Sequence, residues 1–442
     1  MIGWSIAAKV ALGAGLLGAT AGIVGSYAVL RRRALLGDVL AHATLPGVCL
    51  AFLITGARET LALSAGALAT GVLSVFCVAL AMRWTRTRED AAMGVVLSTF
   101  FGLGVVLLTV IQNNGSGAQA GIDSYLFGEV AALTWSDIGL LAAAVVVAAG
   151  VCIALHKELK LYCFDEDFAR SQGWPTVLLD FAVMSAVAAV VVLGLPVCGV
   201  VLIAAMLIYP AAAARYWTER LSRVVLLAGL IGCAAGGGGV LLASPSSDGL
   251  ALSQLLRDSE GGLPPPGPVI VLTGATLFVL SVLFAPSRGV LAGAYRQWRL
   301  RARVQREHLL RSLYELTEGR GRLEEPTPLL ELATRYRTDR WTSWRTLSAA
   351  ERSGLIETHG EAIRFTPSGA AEAARLTRVH RLWELFLVRH ADIAADHVDR
   401  DADDVEHLLP AELIEELETE LSAEGVLPSE KPAPPSPHRI EV

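Results

Sequence analysis

Runs of about 20 apolar residues recur over the first 285 residues of this 442-residue chain. Such a run is long enough to cross the hydrocarbon core of a bilayer as an α-helix. Nine runs are predicted to do so: 10–30, 35–56, 61–82, 92–111, 136–155, 176–194, 197–214, 224–243 and 268–285. The seventh follows Gly194-Leu195-Pro196, a favourable place for a helix break. A single soluble domain is therefore excluded, and residues 1–290 are predicted to be an all-α polytopic membrane domain.

Charged residues divide the chain near residue 295. The first 295 residues carry 16 Lys and Arg and 16 Asp and Glu, whereas the last 147 carry 21 and 27. The formal net charge of −6 thus comes from the last third, which is predicted to be water-soluble. Within it, residues 296–367 are basic, with 14 basic and 10 acidic side chains, and residues 368–442 are acidic, with 7 and 17.

Lys and Arg gather in alternate loops of the membrane domain. They follow the odd-numbered apolar runs, as Arg31, Arg32, Arg33, Arg83, Arg86, Arg88, Lys157, Lys160, Arg170, Arg215, Arg220, Arg223 and Arg288. The intervening loops hold only Arg58 and Arg257. Because loops that stay in the cytoplasm are enriched in Lys and Arg, the N-terminus is predicted to lie outside and the C-terminal domain in the cytoplasm.

An aspartate and a histidine, Asp38 and His42, stand inside the second apolar run. Their spacing of four places both on one helical face, where a carboxylate oxygen and an imidazole nitrogen can share one divalent cation. Such a ligand pair suits Mn, Fe or Zn better than Ca or Cu(I). The structural alternative is that Asp38 caps the start of the second run and His42 bonds to a neighbouring helix. Asp180, which opens the sixth run, is predicted to have an interfacial or helix-capping role.

Several motifs extend this observation over most of the membrane domain. They are Gly37-Asp38-Val39-Leu40-Ala41-His42-Ala43-Thr44-Leu45-Pro46-Gly47, Arg88-Glu89-Asp90-Ala91-Ala92-Met93-Gly94, Tyr125-Leu126-Phe127-Gly128, Lys157-Glu158-Leu159 with Phe164-Asp165, and Leu207-Ile208-Tyr209-Pro210-Ala211-Ala212. In order and spacing, residues 10–290 resemble the permeases of manganese, zinc and iron ABC importers. The resemblance implies a bacterial inner-membrane protein that pairs with a second permease, identical or paralogous, and receives metal from an extracytoplasmic metal-binding protein. It also implies that Asp38 and His42 bind metal in the translocation path.

A short amphipathic segment, residues 161–175, follows the fifth run and is closed by Gly and Pro. It resembles the coupling helix that docks an ABC permease on its ATPase. The resemblance assigns this contact to Phe164, Asp165, Glu166, Ala169, Arg170 and Gly173. The alternative is an interfacial connector without a partner. No GxxxxGK[ST] phosphate-binding loop occurs in the sequence, so an ATPase has to be a separate chain, and this chain is not expected to be an enzyme.

The basic part of the C-terminal domain has the element order of a winged helix. A helix over 296–318, two short helices over 328–337 and 342–353, and a hairpin of 355–358 with 362–365 are predicted. Residues 296–367 are therefore predicted to be a winged helix-turn-helix domain. Arg335, Arg337, Arg340 and Arg345 make its second and third helices basic, as DNA contact requires. DNA is thus a candidate partner, although a membrane tether limits access to an operator.

The acidic part, residues 368–427, carries two histidines that each lie one helical turn from a carboxylate. Motifs such as His380-Arg381-Leu382-Trp383-Glu384 and Val405-Glu406-His407 resemble the diphtheria-toxin-repressor family of iron and manganese regulators. The resemblance implies a helical metal-binding and dimerisation domain. Its implied ligands are His308, His380, Glu384, Asp399, Asp403, Glu406 and His407. Arg311 stands where manganese-type members have a second carboxylate on the first helix, so one of their two metal positions lacks that ligand here.

The sequence thus predicts the permease subunit of an ATP-driven divalent metal importer with a cytoplasmic metal-sensing domain that regulates uptake. Mn²⁺ or Fe²⁺ is favoured by the C-terminal resemblance, and Zn²⁺ remains open. One alternative is a membrane-tethered, metal-dependent transcriptional regulator, although the intramembrane Asp38 and His42 argue against a mere anchor. Another is a secondary metal transporter without an ATPase. The Pro-rich tail, 428–442, is predicted to be disordered.

Overall fold

The computed structural model of the chain describes residues 6–33, 35–56, 60–113, 133–244, 266–319, 325–335, 340–390, 411–423 and 434. The chain divides into two compact units, Met1–Gly293 and Ala294–Val442. They are called the membrane unit and the C-terminal unit below. The predicted tail at 428–442 lies outside the described residues, apart from Pro434.

The membrane unit is helical throughout its described part. Its helices are α1 (Ile6–Leu30), α2 (Leu36–Ala43), α3 (Leu45–Thr55), α4 (Thr60–Trp84), α5 (Glu89–Asn113), α6 (Trp135–Ala154), α7 (His156–Phe164), α8 (Glu166–Ser171), α9 (Thr176–Cys198), α10 (Val200–Trp217), α11 (Leu221–Leu242) and α12 (Pro266–Phe284). Among the described residues, eight helical stretches are long and apolar enough to cross a membrane, with α2 and α3 counted as one. The apolar part of α10, Leu202–Trp217, is shorter. Together these stretches coincide with the nine predicted runs.

Helix α1 packs closely against α11 because small residues line their contact. A Cβ atom added at Gly18 would lie 2.0 Å from the carbonyl oxygen of Gly232, and one at Gly22 would lie 2.2 Å from that of Ala228. Only glycine at these positions lets the two backbones approach so closely, which is a common way for helices to associate in lipid. Helix α1 also packs against α6, α9 and α10.

Two breaks interrupt the apolar helices of the membrane unit, and the first lies beside His42. Helices α2 and α3 meet at Thr44, and Pro46 stands in the first turn of α3. Since proline has no N–H group, the carbonyl of His42 loses its usual helical donor. The second break lies at Gly199, where φ is 78°, and not at Pro196, which lies inside α9.

The C-terminal unit begins within the long helix α13 (Val290–Gly319). Its other elements are β1 (Thr327–Pro328), α14 (Leu329–Arg335), α15 (Arg340–Arg352), β2 (Ile356–His359), β3 (Ala362–Phe365), α16 (Pro367–His390) and α17 (Ala411–Ala423). The strands form an antiparallel sheet in the order β1-β3-β2. Three helices followed by a hairpin are the winged-helix order that the sequence predicted, while β1 is an additional strand.

Glycines fix the entry to the wing and its tip. Gly354 follows α15 with φ of 68°, and the N–H groups of Gly354 and Leu355 donate to the carbonyls of Glu351 and Ala350, which is the Schellman pattern that ends a helix. Gly360 joins β2 to β3 with φ of 62°, as a tight two-residue hairpin turn requires. The core of the unit gathers apolar residues of α13, α14, α15, the sheet and α16.

Candidate functional site

Helix α2 presents Asp38 and His42 on one face. The Nε2 atom of His42 lies 3.6 Å from the Oδ1 atom of Asp38. The other residues of α2 from Leu36 to Ala43 are buried, whereas the side chains of His42 and Asp38 are 27% and 47% exposed. The helix therefore uses its apolar face to pack and leaves an oxygen and a nitrogen ligand on the uncovered face.

The surroundings of His42 orient its ring. The ring of Phe101 on α5 contacts it edge-on, with 5.1 Å between the ring centroids. Asp38 lies in the first turn of α2, and the N-cap residue, Leu35, makes no side-chain capping bond. The capping alternative for Asp38 is thus not observed. In the described part of the chain, no group of three or more His, Cys, Asp or Glu could hold a metal ion, so the pair offers two ligands.

A buried ionic network lies immediately before α2. Arg33, which is 8% exposed, pairs with Asp180 on α9 and with Glu89 at the start of α5. The hydroxyl of Tyr162 on α7 also donates to Asp180. Asp180 is therefore an ion-pair partner. Of the two predicted roles, interfacial or helix-capping, the capping role is wrong, because Pro175 occupies the N-cap of α9.

Arg31 joins the short helix α8 to the same network. Its Nη2 atom donates to Glu166 at 2.6 Å, its Nη1 atom donates to the carbonyl of Tyr162 at 3.2 Å, and its guanidinium lies 4.1 Å from the centre of the Tyr162 ring. Burial opposes the charge of Arg33, but Asp180 and Glu89 outweigh it, so the pKa of Arg33 lies above its usual value. Burial and the bond to Asp180 raise the pKa of Tyr162. Arg33 therefore keeps its charge, and the hydroxyl of Tyr162 keeps the proton that it donates to Asp180.

Helix α8 is closed at both ends by its own residues. The side chain of Asp165 caps it by accepting from the N–H of Phe168 at 2.9 Å. Gly173 ends the segment with φ of 82°, and Ala169 packs inward while Phe164 and Phe168 are 61% and 50% exposed. Arg170 pairs with Glu166 at 3.0 Å. The segment thus presents two aromatic rings outward on a rigid turn.

In the C-terminal unit, His380 and Glu384 lie one turn apart on α16 and are fully buried. The Nε2 atom of His380 lies 3.3 Å from the Oε1 atom of Glu384. The Nδ1 atom of the same ring lies 2.6 Å from Nη1 of Arg311 on α13. Arg311 is also 3.6 Å from Glu315. An arginine therefore adjoins the histidine that the sequence proposed as a ligand.

The family of the chain follows from comparison with known proteins. A family model described as the ABC 3 transport family matches residues 4–285. The chain belongs to the ABC 3 transport family. A second model, described as the metal binding and dimerisation domain of iron dependent repressors, matches residues 366–435 of this permease.

Individual relatives of the permease carry names of metal transport systems. The manganese transport system membrane protein MntC of Bacillus subtilis is 37% identical over 419 residues, which are 95% of this chain and 92% of that protein. The zinc transport system membrane protein TroC of Treponema pallidum is 39% identical over 293 residues, 66% of this chain and 92% of that protein. A solved structure, PsaBC from Streptococcus pneumoniae in complex with Fab, covers 65% of this chain and 94% of its own with 26% identity and a TM-score of 0.54.

Membership of this family makes the chain a multi-pass membrane permease subunit, not itself an enzyme. Permeases of this family work with an ATPase and a substrate-binding protein. The permease fold brings together Asp38 with His42, and Glu166 with Arg170. It places His308 half-buried on α13. The other proposed ligands, Asp399, Asp403, Glu406 and His407, lie outside the described residues.

The ionic network around Arg33 was not predicted from the sequence of the permease. The arginines after α1 were interpreted only as an orientation signal. A further signal was present, because α5, α8 and α9 each carry an acid near their start, namely Glu89, Glu166 and Asp180, and each acid pairs with Arg31 or Arg33.

Proposed function

We propose that this chain is the permease subunit of an ATP-driven importer of a divalent metal ion, with Mn²⁺ or Fe²⁺ favoured over Zn²⁺. The observation that carries the proposal is the pairing of Asp38 with His42 on the uncovered face of α2. Carboxylate oxygen with imidazole nitrogen suits Mn, Fe and Zn. The relatives named as manganese and zinc transport proteins support the same class of substrate.

The number of ligands supports a second permease subunit. Asp38 and His42 supply two donors, whereas Zn²⁺ usually takes four and Mn²⁺ more. Two copies of α2 that face each other, from identical or paralogous chains, would supply four. The metal would come from an extracytoplasmic metal-binding protein. We propose that the permease lies in the bacterial inner membrane with its N-terminus outside and its C-terminal unit in the cytoplasm, and the distribution of Lys and Arg supports this orientation.

The segment Phe164–Gly173 is our candidate for the contact with the ATPase. Exposed aromatic rings are typical of the centre of protein interfaces, and Phe164 and Phe168 are both exposed. Arg31 connects Glu166 on α8 to the loop before α2. A displacement of α8 would therefore be transmitted over a few residues to the helix that carries Asp38.

The C-terminal unit is proposed to sense cytosolic metal and to adjust uptake. Its match to the metal-binding domain of iron dependent repressors supports this role. A membrane-tethered transcriptional regulator that contacts DNA would have no use for Asp38 and His42, and a secondary transporter would have no use for α8. Co-purification of a separate ATPase, abolished when residues 165–172 are scrambled, would separate the importer from both alternatives.

The test of the translocation site is cellular accumulation of Mn, Fe and Zn. Asp38→Asn and His42→Gln each keep the size of the side chain and remove a good ligand, so we expect accumulation of the transported ion to fall at least tenfold. The matched controls are Asp90→Asn, at an exposed position, and His156→Gln, at a half-buried position where glutamine can still bond to Ser222. Both change the same residue types elsewhere in the membrane unit and should leave accumulation unchanged. Undiminished accumulation of all three metals in both α2 variants would show that Asp38 and His42 do not form the translocation site.

A further inference from the structure

The C-terminal unit contains a buried cation of its own at a position where a metal-binding domain would hold an ion. Arg311 on α13 and His380 on α16 are joined by a contact of 2.6 Å between Nη1 and Nδ1. The side chain of Arg311 is 8% exposed, and those of His380 and Glu384 are fully buried. This inference rests on the proposed metal-sensing function of the unit and concerns how many ions that unit takes.

The chemistry of the two side chains fixes the protons at this contact. A guanidinium nitrogen can only donate, so the Nδ1 atom of His380 has to accept. A neutral imidazole has one N–H group, which must then be on Nε2, and Nε2 lies 3.3 Å from the Oε1 atom of Glu384. In this arrangement Nδ1 accepts from Arg311 and Nε2 carries the proton. Neither nitrogen of His380 has a lone pair left for a metal ion.

The charges lead to the same conclusion. Arg311 lies beside a carboxylate, because the Oε1 atom of Glu315 is 3.6 Å from its Nε atom. At this distance the two charges attract each other without a hydrogen bond to Nε. A guanidinium keeps its charge at any physiological pH. A divalent ion at His380 would lie within a few ångströms of that charge in a region of low dielectric constant, where like charges repel strongly. The described residues around His380 therefore do not fit a metal ion.

We propose that the guanidinium of Arg311 takes the place of a divalent metal ion at the His380–Glu384 pair, so that this pair binds no metal ion. Helices α13 and α16 are then joined through Arg311 whether or not metal is present.

The experiment counts Mn²⁺ ions bound by the full-length chain in detergent, by equilibrium dialysis against MnCl₂ and elemental analysis. All variants are made in an Asp38→Asn, His42→Gln background, so that bound Mn²⁺ reports the C-terminal unit alone. The number of Mn²⁺ ions bound by the chain with Asp38 and His42 intact tests the translocation site separately. Arg311→Glu supplies a carboxylate and frees His380, and we expect it to bind one Mn²⁺ more than its parent. Arg311→Lys keeps a cation and should bind no more than the parent.

A second variant, His380→Gln, tests whether His380 binds metal without placing a new charge in the core. In His380→Gln the amide oxygen can accept from Arg311 in place of Nδ1, so folding should be preserved, and the number of bound Mn²⁺ ions should equal that of the parent. Loss of one ion in His380→Gln would show that His380 binds metal and would overturn the proposal. The proposal would also be overturned if Arg311→Glu elutes as a folded protein in size-exclusion chromatography and binds no more Mn²⁺ than its parent.

Discussion

At the scale of single residues, the contact between α1 and α11 depends on glycine. We expect Gly18→Ala to destabilise the membrane unit by about 3 kcal/mol, the upper part of the usual range for overpacking, because the new methyl group would lie 2.0 Å from a backbone oxygen that cannot move alone. The thermal midpoint of the purified protein in detergent should fall accordingly. Gly150→Ala on α6 is the control, since nothing lies within 4 Å of the added atom. Alanine there should leave the midpoint unchanged or raise it, and equal midpoints for both variants would contradict the argument.

Some contacts between single residues could be predicted from the sequence, and others could not. Asp38 and His42 are four positions apart, so helical geometry alone predicts that they are neighbours. Arg33 and Asp180 are 147 positions apart, and their contact arises from the packing of α9 beside the loop that follows α1. Arg311 and His380 are separated by 69 positions. The sequence showed that a carboxylate was missing at Arg311, but only the fold shows where its guanidinium points.

At the scale of elements, the pairing of Glu166 with Arg31 connects α8 to α2. Side-chain exposures of 35% and 17% make this pair worth about 1 kcal/mol or less to stability, so Glu166→Gln should fold normally. We expect it to reduce Mn²⁺ transported per ATP hydrolysed about fivefold, the effect of losing about 1 kcal/mol of coupling. The measurement is uptake and ATPase activity in proteoliposomes that contain the permease and its ATPase.

The control for this prediction lies on the same helix. The side chain of Asp167 is 96% exposed, and within the described part of the chain its ion pair is with Arg170, at 3.8 Å. Asp167→Asn removes the same charge from α8 without touching Arg31 and should leave the ratio of transport to hydrolysis unchanged. If both variants lower this ratio equally, surface charge on α8 and not its connection to α2 would be responsible.

Elements with a strong periodic or apolar pattern were predictable, and those set by local geometry were not. The nine apolar runs and the hairpin of the wing follow from hydrophobicity and turn residues. The division between α2 and α3 depends on one proline inside an apolar run, and many membrane helices tolerate proline without a break. Strand β1 is two residues long and is formed only because Thr327 and Pro328 lie beside β3, which no local pattern reveals.

At the scale of the whole molecule, a permease and a repressor-like unit occur in one chain. TroC of Treponema pallidum aligns over 293 residues that are 92% of its length, and MntD of Bacillus subtilis over 305 residues that are 95%. Relatives close in size to the membrane unit therefore exist. A variant that ends at Gly289 is thus a fair test of what the C-terminal unit contributes.

We expect the truncated permease to accumulate Mn²⁺ at a rate that is independent of cytosolic Mn²⁺, whereas the full-length chain slows as cytosolic Mn²⁺ rises. A ligand that binds one state better than another shifts the balance between them only by its differential affinity, so the response should disappear when the ligands are lost. Full-length chain with Glu406→Gln and His407→Gln is the matched control, because it keeps the C-terminal unit and removes two candidate ligands. It should behave like the truncated permease, while His380→Gln should still respond, since Arg311 already occupies that position. Equal uptake by the full-length and truncated chains at every Mn²⁺ level would mean that the C-terminal unit does not regulate transport.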